Sequence, residues 1–136
     1  MKISKHFDLC EFTRSAIAAI HKIDNTPSKD DIRRLRLFAT CLLEPLRAYH
    51  GLPLHITSGY RSAELNRRIG GAPSSQHMTG EAADIRTVDI LNLYAFLRTD
   101  SAPDFDQAIY YRYRGFLHLS FSASGNNRRQ CWVECK

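Results

Sequence analysis

The sequence predicts an α+β domain in which helices pack on a small antiparallel sheet. Apolar residues recur at helical spacing through residues 9–49, whereas short apolar runs typical of strands come later. The later strands do not alternate regularly with helices, which argues against a parallel sheet. A length of 136 residues suffices for one hydrophobic core and is short for two, so we predict a single domain over residues 1–136.

Two helices are predicted at the start of the chain. The first spans about residues 8–22, where an apolar stripe ends at the polar segment 24–27. Ser28, followed by Asp31 three residues later, has the form of a capping box that begins the second helix. Pro45 should kink this helix near its last turn, because proline lacks the backbone N–H and crowds the preceding turn. The apolar positions of the second helix are Ile32, Leu35, Phe38, Leu42, Leu46 and Tyr49.

Shorter elements are predicted after residue 51. They are a strand at 54–57, a helix at 62–68, a strand at 82–85, a helix capped by Thr87, and a hairpin of 107–111 with 116–121. The tail 122–136 could add an edge strand that covers the sheet. Alternatively, Cys131 and Cys135 around Trp132 could bind a partner.

The apolar and charged residues of the sequence bear on compartment and partners. No apolar run approaches the roughly 18 residues that a membrane helix needs, and the first residues lack a signal-peptide apolar segment. We therefore expect cytoplasmic synthesis and no membrane partner. In that compartment the four cysteines are expected to be free thiols rather than a disulfide or half a zinc site. The net charge of +5 is the only support for nucleic-acid binding, so nucleic acid is not an expected partner.

Metal-ligating residue types are concentrated between Ser75 and Asp84. His77 and Asp84 are seven residues apart and could meet at one metal ion if the chain turns at Gly80. His118 is the best candidate for a third ligand, because it lies in an otherwise apolar strand. Two histidines and a carboxylate, with a fourth position left to water, form the usual ligand set of catalytic zinc. The alternative is that His118 is a hydrogen-bonded core residue.

These residues resemble a known family. The spacing of Ser75, His77, Gly80, Ala82 and Asp84 is similar to the S-x-H-x-x-G-x-A-x-D signature of peptidase family M15. This family contains zinc D-alanyl-D-alanine carboxypeptidases and phage endolysins that cut peptidoglycan stem peptides, and Hedgehog signalling domains share its fold. Further similarity, to the small M15 subfamily common in phages, covers the segments 43–47, 56–62, 66, 70–72, 105–107 and 117–120.

The resemblance implies a Hedgehog-like fold and a Zn²⁺ ion bound by His77, Asp84 and His118. It also implies that Arg61 holds a substrate carboxylate or stabilises an oxyanion, although a structural ion pair is the competing interpretation. Ser75 would bind substrate or orient a ligand near the site, or else it only caps the loop.

The implied function is cleavage of D-amino-acid-containing peptidoglycan peptides at the bacterial cell wall, by a phage-associated monomer. The alternative is a catalytically impaired zinc-binding protein that recognises a cell-wall peptide or a protein partner.

One departure from the family concerns the general base. M15 enzymes place an acidic residue either three residues before the last histidine ligand or at the end of the preceding strand. Gly115 and Tyr111 occupy these positions here, and no Asp or Glu lies between positions 107 and 133. The nearest acidic residues in the sequence are Asp106, Asp104 and Glu81. Asp106 is the predicted catalytic substitute, although the corresponding family position normally has a structural role.

Overall fold

A five-stranded sheet, in the order β1-β2-β4-β3-β5, organises the protein. The computed structural model describes residues 1–136. The strands are β1 (His55–Ser58), β2 (Ala82–Arg86), β3 (Gln107–Tyr111), β4 (Phe116–Ser120) and β5 (Gln130–Glu134). The helices are α1 (Leu9–Thr13), α2 (Ala16–Ile20), α3 (Lys29–Phe38), α4 (Glu44–His50), α5 (Ala63–Arg68) and α6 (Ile90–Leu97). The predicted α+β class is confirmed.

The sheet is mixed rather than purely antiparallel. β1, β2, β4 and β3 pair antiparallel to their neighbours, as predicted, but β5 pairs parallel to β3. The chain leaves β4, crosses the start of β3 through residues 121–129, and reaches the outer edge of β3 in the same direction as that strand. Of the two alternatives for the tail, the structure shows the edge strand, and the prediction of an antiparallel sheet is wrong for this strand.

One face of the sheet carries the hydrophobic core and the other carries the polar residues of the candidate site. Side chains alternate between the two faces of a strand, so Leu117 and Leu119 point to the core while His118 between them points away. α1, α3, α4 and α6 cover the core face with side chains that are less than 2% exposed, among them Phe12, Leu35, Leu46 and Leu93. Each such side chain contributes about 1.5–3 kcal/mol by leaving water.

The predicted first helix is divided into two short ones. α1 ends at Thr13, Arg14 is extended, and the Ser15 hydroxyl accepts a hydrogen bond from the Ala18 N–H to begin α2. The side chain of Asn25 donates to the Thr13 carbonyl at 3.0 Å and so satisfies one of the exposed helix-end groups. The prediction of one continuous helix is therefore wrong, since local caps at both ends favour the break.

The second helix begins as predicted, with a complete capping box between Ser28 and Asp31. A π turn at Ala39–Leu43 links α3 to α4. Pro45, in the first turn of α4, has no backbone N–H to donate. Thr87 does not cap α6, because its hydroxyl donates to the Pro53 carbonyl at 2.9 Å instead. None of the helices is long and apolar enough to cross a membrane. All four cysteines are free thiols.

Gly80, in the loop that leads into β2, has both a left-handed backbone and close packing against α3. Its φ of +79° is left-handed, and a Cβ at this position would lie 2.6 Å from the Asp31 carbonyl oxygen. Gly51 has a similar φ of +74° but nothing within 4 Å of such a Cβ. We expect Gly51→Ala to lose about 1–2 kcal/mol of unfolding free energy from backbone strain alone. Gly80→Ala should lose distinctly more in chemical denaturation, and equal losses would contradict this account of the loop.

Candidate metal centre

The pairing of β2 with β4 brings two of the predicted ligands together. Asp84 is directly opposite His118 in the antiparallel register, and both side chains point away from the helices. The Nδ1 atom of His118 lies 2.9 Å from Oδ1 of Asp84. The two side chains are nearly buried, with 16% and 13% of their surface exposed. Their contact follows from the strand register rather than from flexible loops.

The third predicted ligand comes from a short turn that precedes β2. His77 lies in a 3₁₀ turn, Gln76–Thr79, whose start is capped by the Ser75 hydroxyl and whose end is the left-handed Gly80. Nδ1 of His77 lies 2.7 Å from the Gly59 carbonyl oxygen, which can only accept, so this nitrogen carries the proton. The lone pair of Nε2 then faces Oδ1 of Asp84 at 3.5 Å. Such a carbonyl contact is typical of histidines that bind metal.

The three side chains fit a single metal ion. His77, Asp84 and His118 each offer one ligand atom, and these atoms lie within 4.8 Å of one another. Ligand atoms that surround one tetrahedral zinc at about 2.0–2.2 Å lie a little over 3 Å apart, and Asp84 Oδ1 lies 2.9 Å from His118 Nδ1 and 3.5 Å from His77 Nε2. Burial raises the pKa of Asp84, but the close contacts with His118 and His77 outweigh it and hold this pKa well below its usual value. Asp84 is therefore the anion that a metal needs.

Arg61 lies beside this cluster and is held from three directions. Its Nε donates to the Ser58 hydroxyl at 3.4 Å, and its Nη1 donates to the Asn66 amide oxygen at 3.2 Å. Its Nη2 lies 3.8 Å from Oδ2 of Asp84. The guanidinium thus has the ion-pair contact of the structural interpretation, while it also lines the open pocket at the metal cluster. Both interpretations of Arg61 retain support.

Two open pockets meet at the candidate metal site. A pocket of about 500 Å³ is lined by His77, Asp84 and His118, and Tyr111, Arg114 and Phe116 form part of its wall. A second pocket of about 570 Å³ shares Ser75 and His118 with the first and has polar walls. Ser75 therefore lines both pockets while its hydroxyl accepts from the His77 N–H at 3.2 Å. The largest cavity, about 650 Å³, lies between α2 and β1 and does not include the three candidate ligands.

Asp106, the predicted catalytic substitute, is bound on both oxygens by Arg128. Its Oδ1 accepts from Arg128 Nε at 2.8 Å and from the Arg128 backbone N–H at 3.1 Å, and its Oδ2 accepts from Nη2 at 3.0 Å. These hydrogen bonds lower the pKa of Asp106 and join the start of β3 to the tail before β5. Asp106 lines the second pocket beside His118, but its carboxylate has the contacts of a structural group.

No other carboxylate near the cluster is free to replace the base. Glu81 accepts from the Thr79 hydroxyl and the Ala123 N–H, while Asp104 is largely exposed beside Arg129. Tyr111, at the position where the family has an acid, does line the metal pocket. Burial and the negative charges of Asp84 and Glu134 raise the pKa of Tyr111, so its phenol stays protonated at neutral pH. Tyr111 can therefore donate a hydrogen bond but is a poor base.

Several groups that shape the site have no predicted role in the sequence. The Gly59 carbonyl, which orients His77, belongs to the backbone and leaves no signal in residue type. Asn66 links Arg61 to the Ala72 carbonyl at 2.9 Å, and it was noted only as part of the family resemblance. Arg114 could have been found, because a hairpin turn places its residues beside the ends of both strands.

Two histidines and a carboxylate that line an open pocket form a ligand set of the kind found in zinc-dependent hydrolases. A family model described as Peptidase M15 matches residues 5–120, which is most of the chain. The chain therefore belongs to peptidase family M15. No curated protein matches the sequence. The segment that contains β5 lies outside the matched residues.

Zinc should stabilise the protein through the candidate ligands. At a free zinc concentration one hundred times its dissociation constant, linkage predicts a gain of about 2.7 kcal/mol in unfolding free energy. His118→Ala should lose this gain and its bound metal, whereas His55→Ala, at an exposed histidine of β1, should retain both. Thermal unfolding with and without zinc, together with metal analysis, measures the difference. Stoichiometric zinc in His118→Ala would remove this residue from the ligand set.

Asp106 should contribute to stability in a pH-dependent way. Because its folded pKa is below the usual value of 3.8, its stabilisation is complete above that pH and is lost as pH falls through the folded pKa. We expect Asp106→Asn to lose about 1–3 kcal/mol at pH 7 and less in acid. Asp104→Asn, at an exposed ion pair, should lose under about 1 kcal/mol. Urea unfolding across pH tests this, and a pH-independent difference would contradict it.

Proposed function

We propose that this M15 family member is a zinc-dependent peptidase that cleaves D-amino-acid-containing stem peptides of peptidoglycan. The observation that carries the proposal is the convergence of His77, Asp84 and His118 within 4.8 Å in an open pocket. The substrate class follows the family and the similarity of the surrounding segments to M15 enzymes common in phages. The proposal accordingly includes action at the bacterial cell wall and association with a phage.

The side chains around the cluster have distinct parts in this proposal. The chemistry that zinc would supply when bound is polarisation of the substrate carbonyl and a lower pKa of water. His77 and His118 hold the metal as neutral imidazoles, and Asp84 partly neutralises its charge. Arg61, whose position is set by Ser58 and Asn66, presents a cation to a substrate carboxylate or to the developing oxyanion.

A second candidate function is recognition without cleavage. The pocket at the metal cluster is lined by no carboxylate except Asp84, which belongs to the ligand set. Asp106 is bound by Arg128, and Tyr111 keeps its proton. Peptide hydrolysis needs a group that accepts a proton and delivers it to the leaving amine, whereas binding does not. The lack of a free acid supports a zinc-binding protein that holds a wall peptide or a protein partner.

The direct test is release of D-alanine or cut stem peptides from purified peptidoglycan by the zinc-loaded protein. We expect turnover that His118→Ala abolishes together with bound metal. Asp106→Asn should keep its turnover if Asp106 has only the structural role that its contacts indicate. Stoichiometric zinc with no turnover on several wall types would overturn the peptidase proposal in favour of recognition without cleavage.

A gain-of-function variant distinguishes the peptidase from the protein that binds without cleavage. Tyr111→Glu introduces a carboxylate at the family's position for the base, inside the metal pocket. If the missing base limits turnover, this variant should increase kcat, and general bases typically contribute about 10²–10⁴-fold. Tyr113→Glu makes the same charge change at an exposed residue of the adjacent turn and should have no such effect. An inactive Tyr111→Glu with full zinc content would count against hydrolysis.

A further inference from the structure

Arg114 is a cation at the wall of the metal pocket for which the proposed reaction gives no role. It lies in the turn between β3 and β4, four residues before His118 and exposed to solvent. It lines the same pocket of about 500 Å³ as the three candidate ligands. Its guanidinium makes no hydrogen bond or ion pair with any protein group, in contrast to Arg61 across the pocket.

The guanidinium of Arg114 lies near two aromatic rings at the pocket wall. Its central carbon lies 5.2 Å from the ring centre of Phe116 and 5.9 Å from that of Tyr111. These two rings stack on each other, with centres 4.4 Å apart and planes at 16°. The guanidinium therefore lies to the side of the stacked pair, and its N–H groups are not used by hydrogen bonds to the protein. The turn itself is secured by a hydrogen bond from Arg86 to the Gly115 carbonyl at 3.1 Å.

The charge around the pocket favours an anionic ligand near Arg114. Asp84 is the only acidic side chain that lines the pocket, and its oxygens face the two histidines and Arg61. Arg61 shares its donors with Ser58 and Asn66, so Arg114 is the cation with all its N–H groups free. A carboxylate at this position would meet a planar donor fork, and paired N–H···O bonds from such a fork are among the strongest charge-assisted hydrogen bonds.

We propose that Arg114 is a specificity-determining residue that binds a free carboxylate of the peptide in the metal pocket. This inference rests on the proposed function for its substrate class. Arg114, in the turn between β3 and β4, would be a second cation for the substrate in addition to Arg61. The pocket should therefore select acidic peptides over the same peptides in amidated form. Because Arg114 contacts an unreactive part of the substrate, its loss should raise KM and the dissociation constant and leave kcat unchanged.

The test compares two stem peptides that differ in one group, an internal carboxylate that is either free or converted to its amide. Binding to zinc-loaded protein is measured by calorimetry, and turnover is measured in parallel. Wild type should prefer the acid by about ten- to hundredfold, as expected for a hydrogen-bonded charge pair. Arg114→Gln should lose this preference by weakening the acid form alone, and Arg114→Lys should retain part of it.

Arg112→Gln is the matched control. Arg112 lies in the same turn, but its guanidinium is over the exposed Tyr113 ring and does not line the pocket. This variant should keep the wild-type preference, and thermal unfolding should show all variants folded. Unchanged preference in Arg114→Gln, or none in wild type, would overturn the inference. Selective binding without cleavage would support the inference while contradicting the peptidase proposal, so the two failures are distinguishable.

Discussion

The register of β2 against β4 is the constraint on which the candidate site depends. It places Asp84 opposite His118 and, on the other face, Ala83 opposite Leu119. Because side chains alternate between faces, a slip of one residue in either strand would bury a charged carboxylate or an imidazole among the leucines of the core. The hydrophobic core and the metal ligands are therefore specified by the same backbone hydrogen bonds, and neither can be displaced without the other.

His77 completes the cluster through contacts of a different kind. It arrives on a short turn, and its orientation comes from the carbonyl oxygen of Gly59, whose chain segment also packs closely on α1. A Cβ at Gly59 would lie 2.6 Å from the backbone of Phe12. The close approach of these two segments thus brings the carbonyl within reach of His77. Helix packing on the core face thereby orients a side chain on the opposite face, which connects the stability of the fold to the geometry of the ligands.

The sequence was sufficient for those features that depend on spacing and periodicity. The capping box at Ser28, the α5 helix and the hairpin were predicted because each has a strong local pattern. The break between α1 and α2 was missed because apolar spacing continued across Ser15, where a side-chain cap ends the regularity. The parallel pairing of β5 depends on a crossover, and the contact between Asp106 and Arg128 joins residues far apart in the chain. Neither leaves a local signal.

The parallel strand β5 has a consequence for how copies of the protein behave toward one another. Without it, β3 would present a row of unpaired N–H and C=O groups along the sequence Gln-Ala-Ile-Tyr-Tyr, which has few charges and strong β propensity. Such an edge templates pairing with strands of other molecules. β5 occupies these groups and becomes the edge strand itself, and the ion pair at Asp106 holds the crossover that delivers it. The strand that other molecules meet at this edge is thus β5, which ends in the charged Glu134 and lies outside the residues that match the peptidase family.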